Sequence, residues 1–200
     1  MSDFIYLASQ SVRRSQLLDQ LGVRHTLLLA DANEDSESIE EALPGEAASR
    51  YVRRVTALKL DAALLRMQRR GLPSAPVLCA DTTVAQGRRL LTKPVDAADA
   101  RRMLSILSGH SHRVLTAVAI QQGHKRRDML SVSSVTFAAM TPLQIARFVQ
   151  TGEPLGKAGA YAVQGRAAAY ISRIGGSHTG IMGLPLHETA QLLREFGFKL

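Results

Sequence analysis

The sequence predicts an α/β fold with a partly antiparallel sheet, and three observations predict it. Short apolar runs of strand length are mixed with longer stretches whose apolar residues recur at three- and four-residue spacing. Two strand patterns, residues 112–121 and 130–137, stand next to each other around the polar tip Gln122-Gly123-His124-Lys125, with no helix between them. At 200 residues, 46% hydrophobic and 21% charged, the chain is long enough for one domain with a sizeable core, or for two small lobes sharing a sheet.

Composition narrows the function classes. The balance of apolar and charged residues argues against disorder, and no apolar run has the length of a bilayer span. The first residues, Met1-Ser2-Asp3-Phe4-Ile5-Tyr6, lack the charged and apolar regions of a secretory signal. One cysteine, Cys79, rules out an intrachain disulfide and fits a reducing compartment, so a cytoplasmic protein without membrane partners is expected. The formal net charge is +8, concentrated in Arg66-Met67-Gln68-Arg69-Arg70 and His124-Lys125-Arg126-Arg127. Those clusters are not interleaved with aromatic residues, which make up only 4% of the chain, and adjoin no nucleic-acid motif. They read as solvated charge, and nucleic acid is not the expected partner. An anionic small substrate suits the sign as well.

Taken in order, residues 4–8 read as the first strand. Ser9-Gln10-Ser11-Val12-Arg13-Arg14 follows, then Leu17, Leu18 and Leu21 at helical spacing up to Gly22, with Ser11 as N-cap. A strand, a hydroxyl-rich turn and a helix N-terminus with two arginines make a geometry that binds phosphate. Free N–H groups, the helix dipole and the guanidinium groups all favour an anion there. Residues 25–30 read as the second strand, followed by the acidic Asp31-Ala32-Asn33-Glu34-Asp35-Ser36-Glu37. One of those carboxylates suits a hard divalent cation, and composition does not say which.

Pro44 opens a long predicted helix to about Arg70, its stripe formed by Ala47, Tyr51, Val55, Leu58, Ala62 and Leu65. Lys59 lies beside that stripe, either snorkelling along the core edge or projecting into a cleft. The turn-forming Gly71-Leu72-Pro73-Ser74-Ala75-Pro76 leads into a buried strand over residues 77–80 that delivers Asp81 at its tip, with Thr82, Thr83 and Val84 behind it. Ionised carboxylates are rarely buried unless paired, hydrogen-bonded or bound to metal. Alone, Asp81 reads as a turn cap.

After the turn Gln86-Gly87-Arg88-Arg89, Pro94 keeps Lys93 on an extended segment. Asp96 caps a helix through Leu107, with Asp99 in its first turn. His110 and His112 lie two apart on a strand face. Without a third ligand nearby they read as hydrogen-bonding residues rather than a metal pair. Thr141-Pro142 starts a helix to about Gln150. Residues 168–174 read as a strand turned by Gly175-Gly176-Ser177, and Gly183-Leu184-Pro185-Leu186 leads into a last helix closed by Gly197.

Six stretches then combine: Leu7-Ala8-Ser9-Gln10-Ser11-Val12-Arg13-Arg14, Ala80-Asp81-Thr82-Thr83-Val84, Thr92-Lys93-Pro94, Ser108-Gly109-His110-Ser111-His112-Arg113-Val114, Lys157-Ala158-Gly159-Ala160-Tyr161-Ala162-Val163-Gln164-Gly165 and Gly183-Leu184-Pro185-Leu186. With these in order, the chain resembles the Maf-like nucleoside triphosphate pyrophosphatases over essentially its whole length. The resemblance implies a single domain over residues 1–200, a two-lobed mixed sheet with flanking helices similar to that of inosine triphosphate pyrophosphatases, and a nucleotide in the cleft between lobes. It implies hydrolysis of a nucleoside triphosphate to monophosphate and pyrophosphate with a divalent cation (Mg²⁺, Mn²⁺ or Co²⁺), by a homodimer.

Carried over by position, Asp81 matches the proton acceptor. Arg13, Thr82 and Gln164 match positions associated with substrate choice, and Ser9 matches the first hydroxyl of the phosphate-side loop. Glu34, Lys59 and Lys93 match charged residues around the triphosphate, with Glu34 and Asp81 holding the metal. The Lys-Ala-Gly-Ala-Tyr-x-x-Gln-Gly form resembles the dTTP/UTP branch. The branch acting on 7-methyl-GTP has a Ser-Glu pair where Val163-Gln164 stand. Val12 replaces a usual proline, Thr92 a common glycine or glutamate, and Gly156 a frequent acidic residue. The alternatives are a pyrophosphatase for another modified nucleotide such as 7-methyl-GTP, and a nucleotide-binding regulator with weak catalysis, since the family is associated with inhibition of septum formation.

Overall fold

The computed structural model describes residues 3–31, 34 and 38–200. In chain order its elements are β1 (Ile5–Leu7), α1 (Val12–Gln20), β2 (His25–Leu27), α2 (Ala48–Arg69), β3 (Val77–Gln86), β4 (Arg89–Leu91), α3 (Ala97–Leu107), β5 (Ser111–Gln122), β6 (Lys125–Phe137), α4 (Pro142–Gln150), β7 (Ile171–Gly175), α5 (His178–Met182) and α6 (Leu186–Glu195). Short 3-10 helices stand at Ser38–Glu40, Ala158–Ala160 and Arg166–Tyr170.

The expected class is the one observed. Among the described residues, a seven-stranded sheet runs β2-β1-β3-β5-β6-β7, with β4 also on β3. β1 is parallel to β2 and β3, and the remaining pairs are antiparallel. The long β5–β6 hairpin turns at Gly123-His124, with Gly123 at a φ of 55° that suits a residue without Cβ.

Strand alternation divides the core. On one face, Val77, Cys79, Ala85, Leu115, Ala117 and Ala119 pack against Tyr51, Val52, Val55, Leu60 and Ala63 of α2. On the other, Leu78, Ala80, Val118 and Ile120 meet α1 and α6 through Leu17, Leu18, Leu192 and Leu193. Further along that face, Val84, Val114, Val135 and Phe137 meet α3 and α4. Between these two clusters runs a row of hydroxyls, Thr82, Thr116 and Ser131, directly opposite one another in register. The polar row is where the two apolar clusters part.

Helix ends follow local chemistry. Asp96 accepts from Asp99 N at 2.7 Å, as expected, and Thr141 and Gln144 form a capping box at α4. Other expectations are corrected. α2 begins at Ala48 rather than Pro44, because Gly45 at a φ of 70° breaks helical geometry between them. Its buried side is Val52, Val55, Thr56, Leu60, Ala63 and Arg66. Leu58 and Leu65, placed on the stripe by spacing, are 40% and 60% exposed. The second strand ends at Leu27, not Ala30. Residues 166–170 form a 3-10 helix, so β7 starts at Ile171, where the β-branched residues begin. Asp81 lies in the middle of β3 rather than at its tip, because pairing with β5 continues to Ala85.

Candidate active site

β1 pairs with β3 only as far as Leu78, and β4 takes up the same edge at Val84. From Cys79 to Thr83 that edge has no strand partner among the described residues, and a cleft of about 870 Å³ opens there. The gap makes a mid-strand aspartate reachable. Alternation then points Asp81 and Thr82 to opposite faces of the sheet while both line the cleft.

On the α2 face the site is ionic. Lys59 Nζ donates to Asp81 Oδ1 at 2.6 Å and to Glu40 Oε1 at 2.6 Å, and Lys93 Nζ donates to Glu40 Oε2 at 2.7 Å. Burial works against the Lys59 charge, but the two carboxylates outweigh it and hold its pKa above the ordinary lysine value. Burial likewise works against the Glu40 charge, and Lys59 and Lys93 outweigh it and lower its pKa. The Tyr51 hydroxyl donates to the Glu40 carbonyl at 2.8 Å, and burial pushes its own pKa up to about 12. Lys59 thus takes the cleft-facing alternative of its two sequence readings.

On the other side of the gap, the Arg14 guanidinium donates to Gly183 O at 2.8 Å, to Ser9 Oγ at 3.2 Å and to Thr82 Oγ1 at 3.5 Å. Ser9 Oγ also accepts from Ser11 N at 3.2 Å. With both lone pairs engaged, the Ser9 hydroxyl has only its proton to offer. Ser11 stands at the N-cap of α1 as expected, but its side chain makes no cap bond. Burial lowers the Arg14 pKa, with Asp81 acting against that shift. The side chains of Arg13 and Gln164 line the cleft and have no hydrogen bond or ion pair among the described residues.

Glu34 lines the same cleft, but it stands among arginines rather than beside Asp81. Its carboxylate is clamped by Arg66, which donates from Nε at 2.9 Å and from Nη2, and by Arg69 at 2.7 Å. The Arg66 hydrogen bond is the main cause holding its pKa down at about 2. The carboxylate that shares Lys59 with Asp81 is Glu40 instead. Asp35 and Glu37 of the same acidic stretch lie outside the described residues. No group of three His, Cys, Asp or Glu side chains among the described residues converges as a ready-made metal site. Cys79 is buried and its thiol is pushed up to about 12, an inert strand residue.

The loop bearing Gln164 is held from several sides. Gly159 has a φ of 67°, donates to Thr92 O at 3.1 Å, and leaves no room for a Cβ, which would stand 2.9 Å from Val84 Cγ2. Thr92 therefore serves through its carbonyl, so its side-chain departure is without consequence at this contact. Glu153 accepts from Arg166 N at 3.0 Å and lies so close to Gly165 that a Cβ there would be 2.0 Å from Oε1. His112 Nε2 is 2.7 Å from the Tyr161 hydroxyl, and burial lowers the His112 pKa to about 4. His110 lies outside the strand, with Nδ1 2.7 Å from Ser108 O. Both histidines thus make hydrogen bonds, as read from the sequence.

The residues missed by the sequence reading are Glu40, Arg14 as the hub on its side of the gap, Thr116, and the Arg66 clamp. Arg14 was visible inside the Arg13-Arg14 pair. Nothing in the spacing singled out Glu40.

Over residues 4–196 the chain matches the family described as Maf-like protein. It is 66% identical over 200 residues to the dTTP/UTP pyrophosphatase of Albidiferax ferrireducens, covering 100% of both chains. It is 62% identical over 199 residues to the dTTP/UTP pyrophosphatase of a Polaromonas species, covering 100% of this chain and 98% of the relative. Among solved structures, the Staphylococcus aureus Ham1 protein aligns over 96% of each chain, with 10% identity and a TM-score of 0.42.

Proposed function

The chain belongs to the Maf-like protein family, and from that premise we propose that it hydrolyses dTTP and UTP to the monophosphate and pyrophosphate. The observation that carries the proposal is the gap in the sheet, which exposes Asp81 beside Lys59 while Arg13, Lys93 and Ser9 line the same cleft. In this reading the triphosphate lies against Lys59, Lys93 and Arg13, whose charges offset its own. Ser9, with only a proton to give, donates to a phosphate oxygen, which can only accept. Gln164 and Thr82 meet the nucleoside.

Water attacks the α-phosphorus, forming a new P–O bond. The bond to the bridging oxygen breaks, and pyrophosphate leaves with the electron pair. The water's proton passes to Asp81, whose Oδ2 is not engaged by Lys59.

The residues fit a divalent cation such as Mg²⁺, Mn²⁺ or Co²⁺. Asp81 and Glu40 place two hard oxygen donors within 2.6 Å of one cationic nitrogen, and substrate phosphates and waters commonly complete such a shell. Asp81 and Glu40 would hold it. Glu34 joins them only by giving up Arg66 and Arg69. Bound there, the cation supplies further neutralisation of the charge moving onto pyrophosphate.

The same reading makes residues 1–200 a single two-lobed domain acting as a cytoplasmic homodimer. One continuous sheet running through all the core clusters supports the single domain. No helix among the described residues is long and apolar enough to cross a membrane. Sedimentation equilibrium tests the dimer.

Pyrophosphate release from dTTP, UTP, CTP, 7-methyl-GTP and ITP, each with Mg²⁺, Mn²⁺ or Co²⁺, tests the function. dTTP and UTP are expected to be among the best substrates. A clear preference for 7-methyl-GTP would overturn the substrate choice. Tight nucleotide binding without release would overturn the enzyme.

A further inference from the structure

Thr82 belongs to a hydrogen-bond chain whose direction is fixed at both ends. The Arg14 guanidinium can only donate, and the Gly180 carbonyl can only accept. Between them stand Thr82 Oγ1, 3.5 Å from Arg14 Nη2, and Thr116 Oγ1, 2.9 Å from Thr82 Oγ1 and 2.7 Å from Gly180 O. Thr116 has one hydroxyl proton, and the Gly180 carbonyl takes it. Thr116 must then accept from Thr82, so the only hydroxyl proton of Thr82 is spent inside the protein. The reverse direction would set Thr116 Oγ1 and Gly180 O lone pair to lone pair at 2.7 Å, at a residue that is 1% exposed. Arg14 takes one of its two lone pairs, so toward the cleft Thr82 shows one lone pair and no proton.

That polarity decides what Thr82 can face. Phosphate oxygens are acceptors, so an acceptor-only hydroxyl is unsuited to them. Thr82 also lies on the face of β3 opposite Asp81 and Lys59. There its apolar neighbours in the cleft lining are Val84, Val114, Ile181 and Met182, with the Arg14 guanidinium beside it. An apolar wall with one fixed acceptor suits the flat, partly polar edge of a nucleobase.

We infer that Thr116 is a positioning residue that makes Thr82 an obligate acceptor, and that the cleft thereby selects bases carrying an N–H on the edge that meets Thr82. The inference rests on the pyrimidine nucleotide reading above and deepens it. Uracil and thymine offer N3–H, and cytosine offers its 4-amino group. Pyrimidin-2-one has neither, and its N3 lone pair would face the free lone pair of Thr82. A cross-strand threonine pair serving the sheet alone would leave that preference untouched.

The test compares kcat/KM for UTP, CTP and pyrimidin-2-one riboside triphosphate in the wild type, Thr116→Val and Thr116→Ser. The wild type is expected to favour UTP and CTP over the pyrimidinone by roughly ten- to a hundred-fold, the usual cost of an unmatched polar contact. In Thr116→Val the Thr82 proton is free to turn to the cleft, and the ratio falls to about threefold or less. Thr116→Ser, which keeps the relay, restores the wild-type ratio. A wild-type enzyme that turns over the pyrimidinone as well as UTP overturns the inference even if Thr116→Val fails to fold. So does a Thr116→Val enzyme with an unchanged ratio. If the wild type does not hydrolyse UTP at all, the pyrimidine reading itself has failed, and the inference goes with it.

Discussion

Replacing Lys59 by methionine removes the one positive charge that Asp81 shares with Glu40. Lys59, Asp81 and Glu40 have side chains only 22%, 12% and 26% exposed, so the two carboxylates would be left facing each other with little water between them. Breaking a buried ion pair by removing one partner costs about 3–5 kcal/mol. Partial exposure and the contact of Glu40 with Lys93 reduce this to about 2–4 kcal/mol. For a chain of this size that corresponds to a fall in Tm of about 5–15 °C, read by thermal melts at neutral pH. The loss should shrink as pH falls through the carboxylate range, because protonating either acid removes the uncompensated charge. Asp81→Asn in the Lys59→Met background should likewise recover part of it. In the wild type the sign is opposite at the basic end. The raised Lys59 pKa contributes stability that is fully present below the unfolded lysine value and is lost as pH climbs through the folded one. A Lys59→Met protein within about 0.5 kcal/mol of wild type, with no pH dependence of the difference, would show that the three groups behave as a surface ion pair and that Lys59 does not hold the two carboxylates together.

Asp81→Asn should lose turnover on dTTP and UTP by about 10²–10⁴-fold or more while the protein stays folded, because Lys59 keeps Glu40 as its partner. Gly159→Ala should destabilise by roughly 1–3 kcal/mol, from its left-handed φ and the Val84 contact at 2.9 Å, and should raise KM by displacing the Gln164 loop. Acid melts should show two windows. His112, lowered from an ordinary 6.5 to about 4, contributes stability above pH 6.5 that is lost as pH falls toward 4, and His112→Gln flattens that window. Glu34, lowered from 4.5 to about 2, contributes stability that is lost as pH falls between those values, and Arg66→Met shrinks that loss by bringing the folded pKa back toward 4.5.

What the sequence made legible was whatever depends on period or on local chemistry. The caps at Asp96 and Thr141 and the long hairpin need only neighbouring residues to specify them, and they stand close to where the sequence put them. The phase of α2 was harder. Tyr51 and Val55 fit both the expected and the observed stripe, and only the sheet decides that Leu60 and Ala63 turn inward while Leu58 and Leu65 do not. At the site, Asp81, Lys59 and Lys93 were found by motif, but their arrangement was not. Glu40 lies 41 residues before Asp81 and meets it through Lys59 alone, a closure that no spacing rule encodes. Which partner Glu34 takes was not legible either, because an acidic stretch offers several equivalent carboxylates. The one that Arg66 and Arg69 capture is settled by the packing of α2 against the segment after β2, where Leu28 meets Leu60 and Ala63 and Arg66 donates to Leu28 O at 2.9 Å.

Placing a donor-only group at the centre of the other half of the site has a consequence that motifs do not express. Arg14 donates to Ser9 and to Thr82, yet the two hydroxyls end with opposite polarities. Ser9 receives a second donor, Ser11 N, and keeps its proton for the cleft. Thr82 gives its proton to Thr116 and keeps the one lone pair that Arg14 leaves free. A nucleotide has acceptors at its phosphate end and donors at its base edge, so the two hydroxyls fit it in one orientation and oppose it in the other. The orientation follows from the partners of each hydroxyl rather than from its identity. Ser9 and Thr82 are chemically alike, and the sheet register that puts Thr116 opposite Thr82 makes them different.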